Sequence, residues 1–167
     1  MQTVAERLDI LPQVGRLEWI GLSPQANGEI VSVSQAELLF DHGLADDHHA
    51  KRRAGTKRQV TLIQQEHLVA VAGYLHREAI PPELLRRNLV VSGINLLALK
   101  GKPFQIADCL LEYTGPCDPC SRMEANLGPG GLNAMRGHGG ITAKVLRGGI
   151  IHLGAEVRAV IDGEAQG

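Results

Sequence analysis

Residues Gly115 to Met123 read Gly-Pro-Cys-Asp-Pro-Cys-Ser-Arg-Met, and the two thiols on this proline-stiffened turn are the side chains best able to do chemistry. A thiolate is both a nucleophile and a soft metal ligand, and a nearby cation such as Arg122 favours it over the thiol. Spacing alone leaves several readings of Cys117-x-x-Cys120 open. A structural zinc site takes four ligands, usually from a second CxxC or a paired histidine motif, and neither stands at the usual spacing here. A thioredoxin-type dithiol wants a βαβ context with the motif opening a helix, whereas the surroundings read as β and Pro119 precedes the second thiol. A third reading makes Cys120 a single ligating or sulfur-carrying thiolate with Cys117 in support. Burial as a small hydrophobe suits Cys109, on an alternating stretch, better than cysteines flanked by Pro, Asp, Ser and Arg.

Three other stretches carry reactive groups. Asp46-Asp47-His48-His49 has the residue types of a metal site, although Asp and His in a loop are commonly just solvated. Gly128 to Gly140 holds six glycines with Arg136 and His138; its amides and Arg136 suit an oxyanion or phosphate, and a plain barrel-closing connection fits it equally well. It matches neither the P-loop nor the dinucleotide fingerprint. Arg86-Arg87-Asn88 reads as helix-end basic residues. These stretches make one site only if Arg87, Asn88, Cys120 and the glycine-rich loop converge on one cleft.

Composition narrows the partner. Seventeen basic and eighteen acidic residues give a net charge of -1, and aromatic residues make up 3% of the chain. Neither a basic footprint nor a set of stacking platforms is present, so a small-molecule partner is expected and nucleic acid is not. Met1 to Asp9 lacks the apolar core of a signal peptide, and no run approaches the roughly 18 apolar residues that span a bilayer. A soluble, cytoplasmic protein is expected, with its three cysteines in a reducing compartment.

The elements that must position these residues read mostly as β. Arg16 to Leu22 and Glu29 to Leu38, separated by the turn formers Ser23 to Gly28, predict an opening hairpin. Asp41 to Lys57 lacks apolar periodicity and reads as a mobile functional loop. Gln59 to Ile63 is a predicted strand, followed by a helix over Gln64 to Glu78 with Leu68, Val71, Ala72 and Leu75 on one face, stopped by Pro81-Pro82. Pro82 to Arg86 suits a short helical turn, Leu89 to Val91 a strand ending at Ser92-Gly93, and Cys109 to Thr114 a half-buried strand delivering the chain to Cys117. Ile141 to Leu146 and Ala155 to Val160 alternate around a Gly148-Gly149 turn. Many short strands with glycine turns and few helices indicate a mainly β fold, a barrel or sandwich with helical excursions. Beyond a polar C-terminus there is no low-complexity tail.

In this order, Gly43-Leu44-Ala45-Asp46-Asp47-His48-His49-Ala50, Arg58 to Ile63, Arg87-Asn88-Leu89-Val90-Val91-Ser92-Gly93-Ile94-Asn95-Leu96 and the Cys120 turn resemble the MOSC domain. This is the C-terminal domain of molybdenum-cofactor sulfurases, which also occurs as a stand-alone protein. The resemblance covers about Leu17 to Val160 and implies a β-barrel with a few short helices, pyruvate-kinase-barrel-like, in a single domain over residues 1–167. It leaves no counterpart for the N-terminal domain that adds cofactor contacts in larger relatives. The chain departs at Ala45, where many relatives have Gly before the Asp.

The resemblance implies molybdenum cofactor (molybdopterin) binding, with Cys120 as the catalytic metal or sulfur cysteine. Arg87 and Asn88 match the family's segment near the cofactor, and Cys117, Arg122, Arg136 and His138 are further cofactor-side candidates. Asp47 and His48 are candidate proton relays if the mobile loop closes. The implied activity is reduction of N-hydroxylated compounds, and since no flavin, haem or iron-sulfur motif is present, electrons must come from a partner reductase. The alternative is a sulfur carrier holding a persulfide on Cys120, resolved by Cys117 and loaded by a cysteine desulfurase; pyridoxal phosphate would enter only through that partner.

Overall fold

Gly15 and Leu17 are buried while Arg16 and Glu18 face water, the two-residue alternation of a strand with one dry side, and a register shift between Leu17 and Trp19 then returns Ile20 to the dry side. This strand, β1 (Gly15–Leu22), begins a set that continues with β2 (Val31–Val33), β3 (Gln35–Leu39), β4 (Gly43–Leu44), β5 (Val60–Gln64), β6 (Leu89–Ser92), β7 (Pro103–Ile106), β8 (Cys109–Pro116), β9 (Ile141–Arg147), β10 (Gly149–His152) and β11 (Glu156–Ala159). The computed structural model describes residues 1–161, and the polar C-terminus read from sequence lies largely outside them.

The order β11-β7-β8-β9-β5-β6-β1 closes on itself where Gly15 pairs with Val157, giving a barrel of seven strands. Closure removes the unpaired edges that an open sheet must protect. Strand β2 extends β1 outward, and β10, β3 and β4 form a separate three-stranded sheet. The expected mainly β barrel with short helices is what the chain adopts. Among the described residues no helix is long and apolar enough to cross a membrane.

Two cores share β5 and β6, which pair in parallel. Val60, Leu62, Leu89 and Val91 point into the barrel with Leu17, Phe104 and Ile141. Ile63 and Val90 point outward into a second cluster with Leu68, Val71, Leu85, Met123, Leu127 and Met135. A strand covered on both faces is buried throughout, as all five residues of β5 are, and its two polar ones, Thr61 and Gln64, are satisfied by Asn88 and by Leu96 N–H. The second core is supplied by helices α2 (Gln65–Tyr74), α3 (Ser121–Leu127) and α4 (Gly131–Met135), while α1 (Val4–Leu8) lies exposed at the N-terminus. Burying this outer cluster is what ties the Cys120 segment to the barrel.

Several local expectations are corrected. Glu29 to Leu38 breaks at Ser34: β2 pairs with β1, but β3 joins the small sheet with β10. Likewise β10 intervenes between β9 and β11, so Gly148-Gly149 does not join two barrel neighbours. Helix α2 ends at Tyr74, not at Glu78. His76 takes a left-handed φ of 55°, and Arg77 N–H and His76 N–H bond back to the Ala72 and Gly73 carbonyls, a left-handed helix stop that normally falls on glycine. The segment Asp41 to Lys57, expected to be a mobile loop, carries β4 and a 3-10 turn at His48–Lys51. It is pinned by Gln59, whose side-chain amide donates to Asp41 and to the Thr56 carbonyl.

Candidate functional site

Strand β8 hands the chain to Cys117, whose N–H donates to the Gly140 carbonyl at 2.8 Å and whose carbonyl accepts from Arg87 Nη2 at 3.2 Å. The returning chain passes so close that a Cβ on Gly139 would collide with the Cys117 carbonyl oxygen, and one on Gly140, at φ 86°, with that of Leu62. Only glycine permits this approach. Cys117 is therefore 1% exposed. Three residues later Cys120 is exposed at the N-cap of α3, a helix the expected all-β surround did not include. Met123 and Leu127, buried in the outer core, anchor that helix, and Asn126 Nδ2 donates to the Leu84 carbonyl at 2.7 Å. The turn thus presents one thiol and hides the other.

Cys120 opens onto a cleft of about 410 Å³ lined also by Ser23, Ala26, Asn27, His48, His49, Asn88, Ser121, Met123 and five arginines, Arg52, Arg58, Arg86, Arg87 and Arg122. Among the described residues no carboxylate lines it. Arg86 stands at a left-handed φ of 55° and donates to the Gly28 carbonyl and Ser23 Oγ. Burial, and next the charge of Arg122, push its pKa below the ordinary arginine value, with Asp47 and Cys120 opposing. Arg87 is 3% exposed and donates to three backbone carbonyls, those of Gly139, Leu85 and Cys117. Burial lowers its pKa too, yet a guanidinium stays charged, and no carboxylate neutralises it among the described residues. Arg52, Arg58 and Arg122 make no side-chain hydrogen bond or ion pair among those residues.

Beneath this rim the floor is closed. The Asn88 amide makes four hydrogen bonds: Oδ1 accepts from Thr61 N–H and Oγ1, and Nδ2 donates to the Gly21 carbonyl and Asp47 Oδ2. That exhausts its capacity, so the expected side-chain contact from Asn88 to a cofactor is replaced by a positioning role. Asp47, 1% exposed, is the other hub: Oδ2 also accepts from Ser23 N–H, and Oδ1 from the N–H and Nδ1 of His49. Burial opposes ionisation of Asp47, but the hydrogen bonds from His49 and Ser23 and the His49 charge outweigh it, holding the pKa below the usual carboxylate value. His48 turns Nδ1 to the Ser23 carbonyl at 2.9 Å.

Ligand atoms of Asp47, His48 and His49 lie within 4.8 Å of one another. Both Asp47 oxygens are already occupied by two donors each, so a cation there would have to displace the bonds that fix the floor. Asp47 is accordingly sealed off from substrate, and His49, which the sequence offered only as a member of the possible metal cluster, lines the cleft beside His48. Asp46 takes φ 67°, so the backbone position suited to glycine is Asp46, directly before Asp47, and not Ala45.

The structure does not bring Arg136 and His138 to this cleft. They line a separate groove with Tyr74 and Asn133, where His138 packs edge-on against His67 at 4.7 Å between ring centroids. The glycine-rich amides do not form an anion cradle either. Gly130 and Leu132 N–H both donate to the Glu124 carboxylate, Gly131 N–H to the Gly128 carbonyl, and residues 131–135 wind into α4. What the segment brings to the cleft is its end, Gly139 and Gly140, against Cys117 and Arg87.

Comparison with known proteins places this geometry. The MOSC domain family profile matches residues 47–158. Among solved structures, YuaD from Bacillus subtilis superposes with a TM-score of 0.76 at 20% identity, covering 90% of this chain and 98% of that one. YiiM from Escherichia coli gives 0.66 at 18% identity over 87% of this chain and 69% of that one. YiiM from Geobacillus stearothermophilus gives 0.69 at 17% identity over 90% and 77%. At such identities the likeness is one of fold. No curated protein matches the chain by sequence.

Proposed function

The chain belongs to the MOSC domain family, a family associated with molybdenum-cofactor binding, and from that premise we propose that its arginine cleft binds the cofactor and that the protein reduces N-hydroxylated compounds there. The observation that carries this reading is the donor set: one exposed thiol, five guanidiniums and, among the described residues, no carboxylate around a single cleft. A soft sulfur donor suits molybdenum, and guanidiniums suit the bidentate recognition of phosphate. The residues present therefore fit the cofactor. Cys120 would ligate the metal, and Arg52, Arg58 and Arg122, whose donors are uncommitted among the described residues, would hold the anionic pterin phosphate. When bound, the cofactor supplies a centre that exchanges two electrons with an N–O bond.

The chain's own residues divide the remaining work. Arg86 reaches the cleft while braced on Ser23 and Gly28, and the buried charge of Arg87 adds to the positive field beneath it. Asn88 and Asp47 hold the floor rigid, so the rim residues are presented without a reorganisation cost. Electrons are to come from a partner electron-transfer reductase. In the competing sulfur-carrier reading Cys117 resolves a persulfide on Cys120; a thiol only 1% exposed, with its carbonyl clamped by Arg87, is poorly placed for that.

The test is turnover. Protein expressed in a cofactor-producing host and given a reduced donor should convert an amidoxime or N-hydroxylated base to the amidine or amine. Metallated protein inert toward a panel of such compounds, while accepting persulfide from a cysteine desulfurase, would put the carrier in its place.

A further inference from the structure

We propose that His49 is the proton donor to the oxygen lost from an N-hydroxylated substrate, and that buried Asp47 is the positioning residue that holds its imidazole; the proposal rests on the reductase reading above. The overall reaction is R–NH–OH + 2 e⁻ + 2 H⁺ → R–NH₂ + H₂O. The N–O bond breaks, the electron pair comes from a reduced flavin or iron-sulfur electron-transfer protein, one proton goes to the departing oxygen and the other to nitrogen. Such a site needs a group that donates a proton and recovers it from water, and imidazole is the side chain suited to that near neutrality.

The geometry singles out His49. Asp47 Oδ1 accepts from His49 Nδ1 at 2.8 Å and from its backbone N–H at 3.0 Å, while Oδ2 is tied by Ser23 N–H and Asn88 Nδ2. A carboxylate held at both oxygens cannot rotate away, so Nδ1 keeps its proton on Asp47 and Nε2 is the nitrogen left to act. No hydrogen bond from a described residue occupies Nε2. His49 lines the cleft that Cys120 also lines.

His48 makes an internal control. It lines the same cleft with its ring centroid 3.9 Å from that of His49. Its Nδ1 bonds a neutral carbonyl, and Asp47 Oδ1 is 3.7 Å away. A charge-assisted bond to a carboxylate fixes a ring more firmly than a bond to a neutral carbonyl. The charged or titratable groups around the pair are Asp47 and His48 on its own turn, Arg52 after it, Arg58 before β5, Arg86 and Arg87 before β6, and Cys120 and Arg122 at α3. Of the two imidazoles, His49 is the one whose Nδ1 is held by a carboxylate, which leaves its Nε2 as the nitrogen facing the work of the cleft.

The experiment combines cofactor-loaded protein with a readout that needs no cofactor. In ¹⁵N spectra of cofactor-free wild-type protein His49 should be the Nδ1–H tautomer, and Asp47→Asn should give a tautomer mixture. In loaded protein His49→Gln should lower kcat about 100-fold or more, within the usual range for a lost general acid. Molybdenum content and KM should stay within about twofold, and added imidazole should restore part of the rate to His49→Ala. His48→Gln should lower kcat by less than a tenth of the factor that His49→Gln does. If His49→Gln keeps its rate while wild-type protein turns over, or if His49 is the Nε2–H tautomer, His49 is not the donor and the reductase reading stands. If loaded wild-type protein does not turn over at all, the reductase reading fails and takes this proposal with it.

Discussion

Arg87 and Arg122 carry the same functional group to the same cleft, yet one is bound to three backbone carbonyls and 3% exposed while the other has no side-chain partner among the described residues. The pairs Cys117 and Cys120, and Asn88 and Ser121, differ in the same sense. Asn88 and Asp47 are hydrogen-bonded to capacity and Arg87 is tied to three carbonyls, whereas Arg52, Arg58, Arg122 and the Cys120 thiol are uncommitted among the described residues. Saturated polar groups in a buried setting specify structure, because any loss leaves a neighbour unpaired. Uncommitted groups in an open cleft can give all their interaction energy to a ligand. Removing a floor residue should thus cost stability first, and removing a rim residue should cost binding first.

The largest effect is expected at Arg87. Replacing it with Met keeps most of its volume but leaves the Gly139, Leu85 and Cys117 carbonyls without their donor, at about 1–3 kcal/mol for each unpaired buried group. A loss of roughly 3 kcal/mol or more in denaturant unfolding is the outcome that fits. A loss below about 1 kcal/mol would show that water repairs the gap and that the floor is not closed. Asn88→Ala comes next, at about 2–3 kcal/mol, since it strands Thr61 N–H and removes a donor from Asp47.

Acid separates the two regions differently. The Asp47 pKa is depressed in the folded state, so its contribution is complete above the unfolded value of 3.8 and is lost as pH falls through the lower, folded value. His67, beside the second groove, is depressed by burial and then by His138, with Glu66 opposing. Its unfolded form takes up a proton first, so stability is full above pH 6.5 and declines as pH falls below it. Unfolding midpoints measured across pH should show a shallow decline starting near 6.5 and a further one below about 4. His67→Phe should remove only the first, and persistence of both steps would detach the first from His67.

The smallest stability effects belong to the rim. Arg122→Ala and Arg58→Ala should each change unfolding by about 0.5 kcal/mol or less, while pterin retention drops about tenfold or more, the effect of losing a charge-assisted contact of about 1.5–3 kcal/mol. Arg136→Ala, in the other groove, should leave both unchanged. Equal pterin loss from Arg136→Ala and Arg122→Ala would erase the distinction between the grooves.

The barrel was legible because some of its strands show a two-residue alternation that needs no tertiary information, as Cys109, Leu111 and Tyr113 do in β8. The exposure of Cys120 on the cleft was legible from chemistry, since a thiol beside Pro, Ser and Arg is a poor core residue. Other features were hidden by their own local signals. The glycines of 128–140 read as loop, but Glu124 satisfies the first amides of α4 and Gly131 lets α4 pack on Leu127. His76 stops α2 in a conformation usually reserved for glycine. The saturation of Asn88 and Asp47 depends on Gly21, Ser23 and Thr61, residues distant in sequence that no spacing rule connects. His49 was read only as part of a possible metal cluster, because its partner two residues back looked like a solvated carboxylate and proved to be buried.

Molybdenum and pterin stoichiometry in wild-type and Cys120→Ser protein, purified from the same cofactor-producing host, tests the central claim most directly. The exposed thiol and arginine rim predict close to one molybdenum and one pterin per wild-type chain, with the metal lost in Cys120→Ser and the fold intact by unfolding midpoint. Molybdenum retained in full by Cys120→Ser, or a wild-type chain carrying neither metal nor pterin, would contradict it.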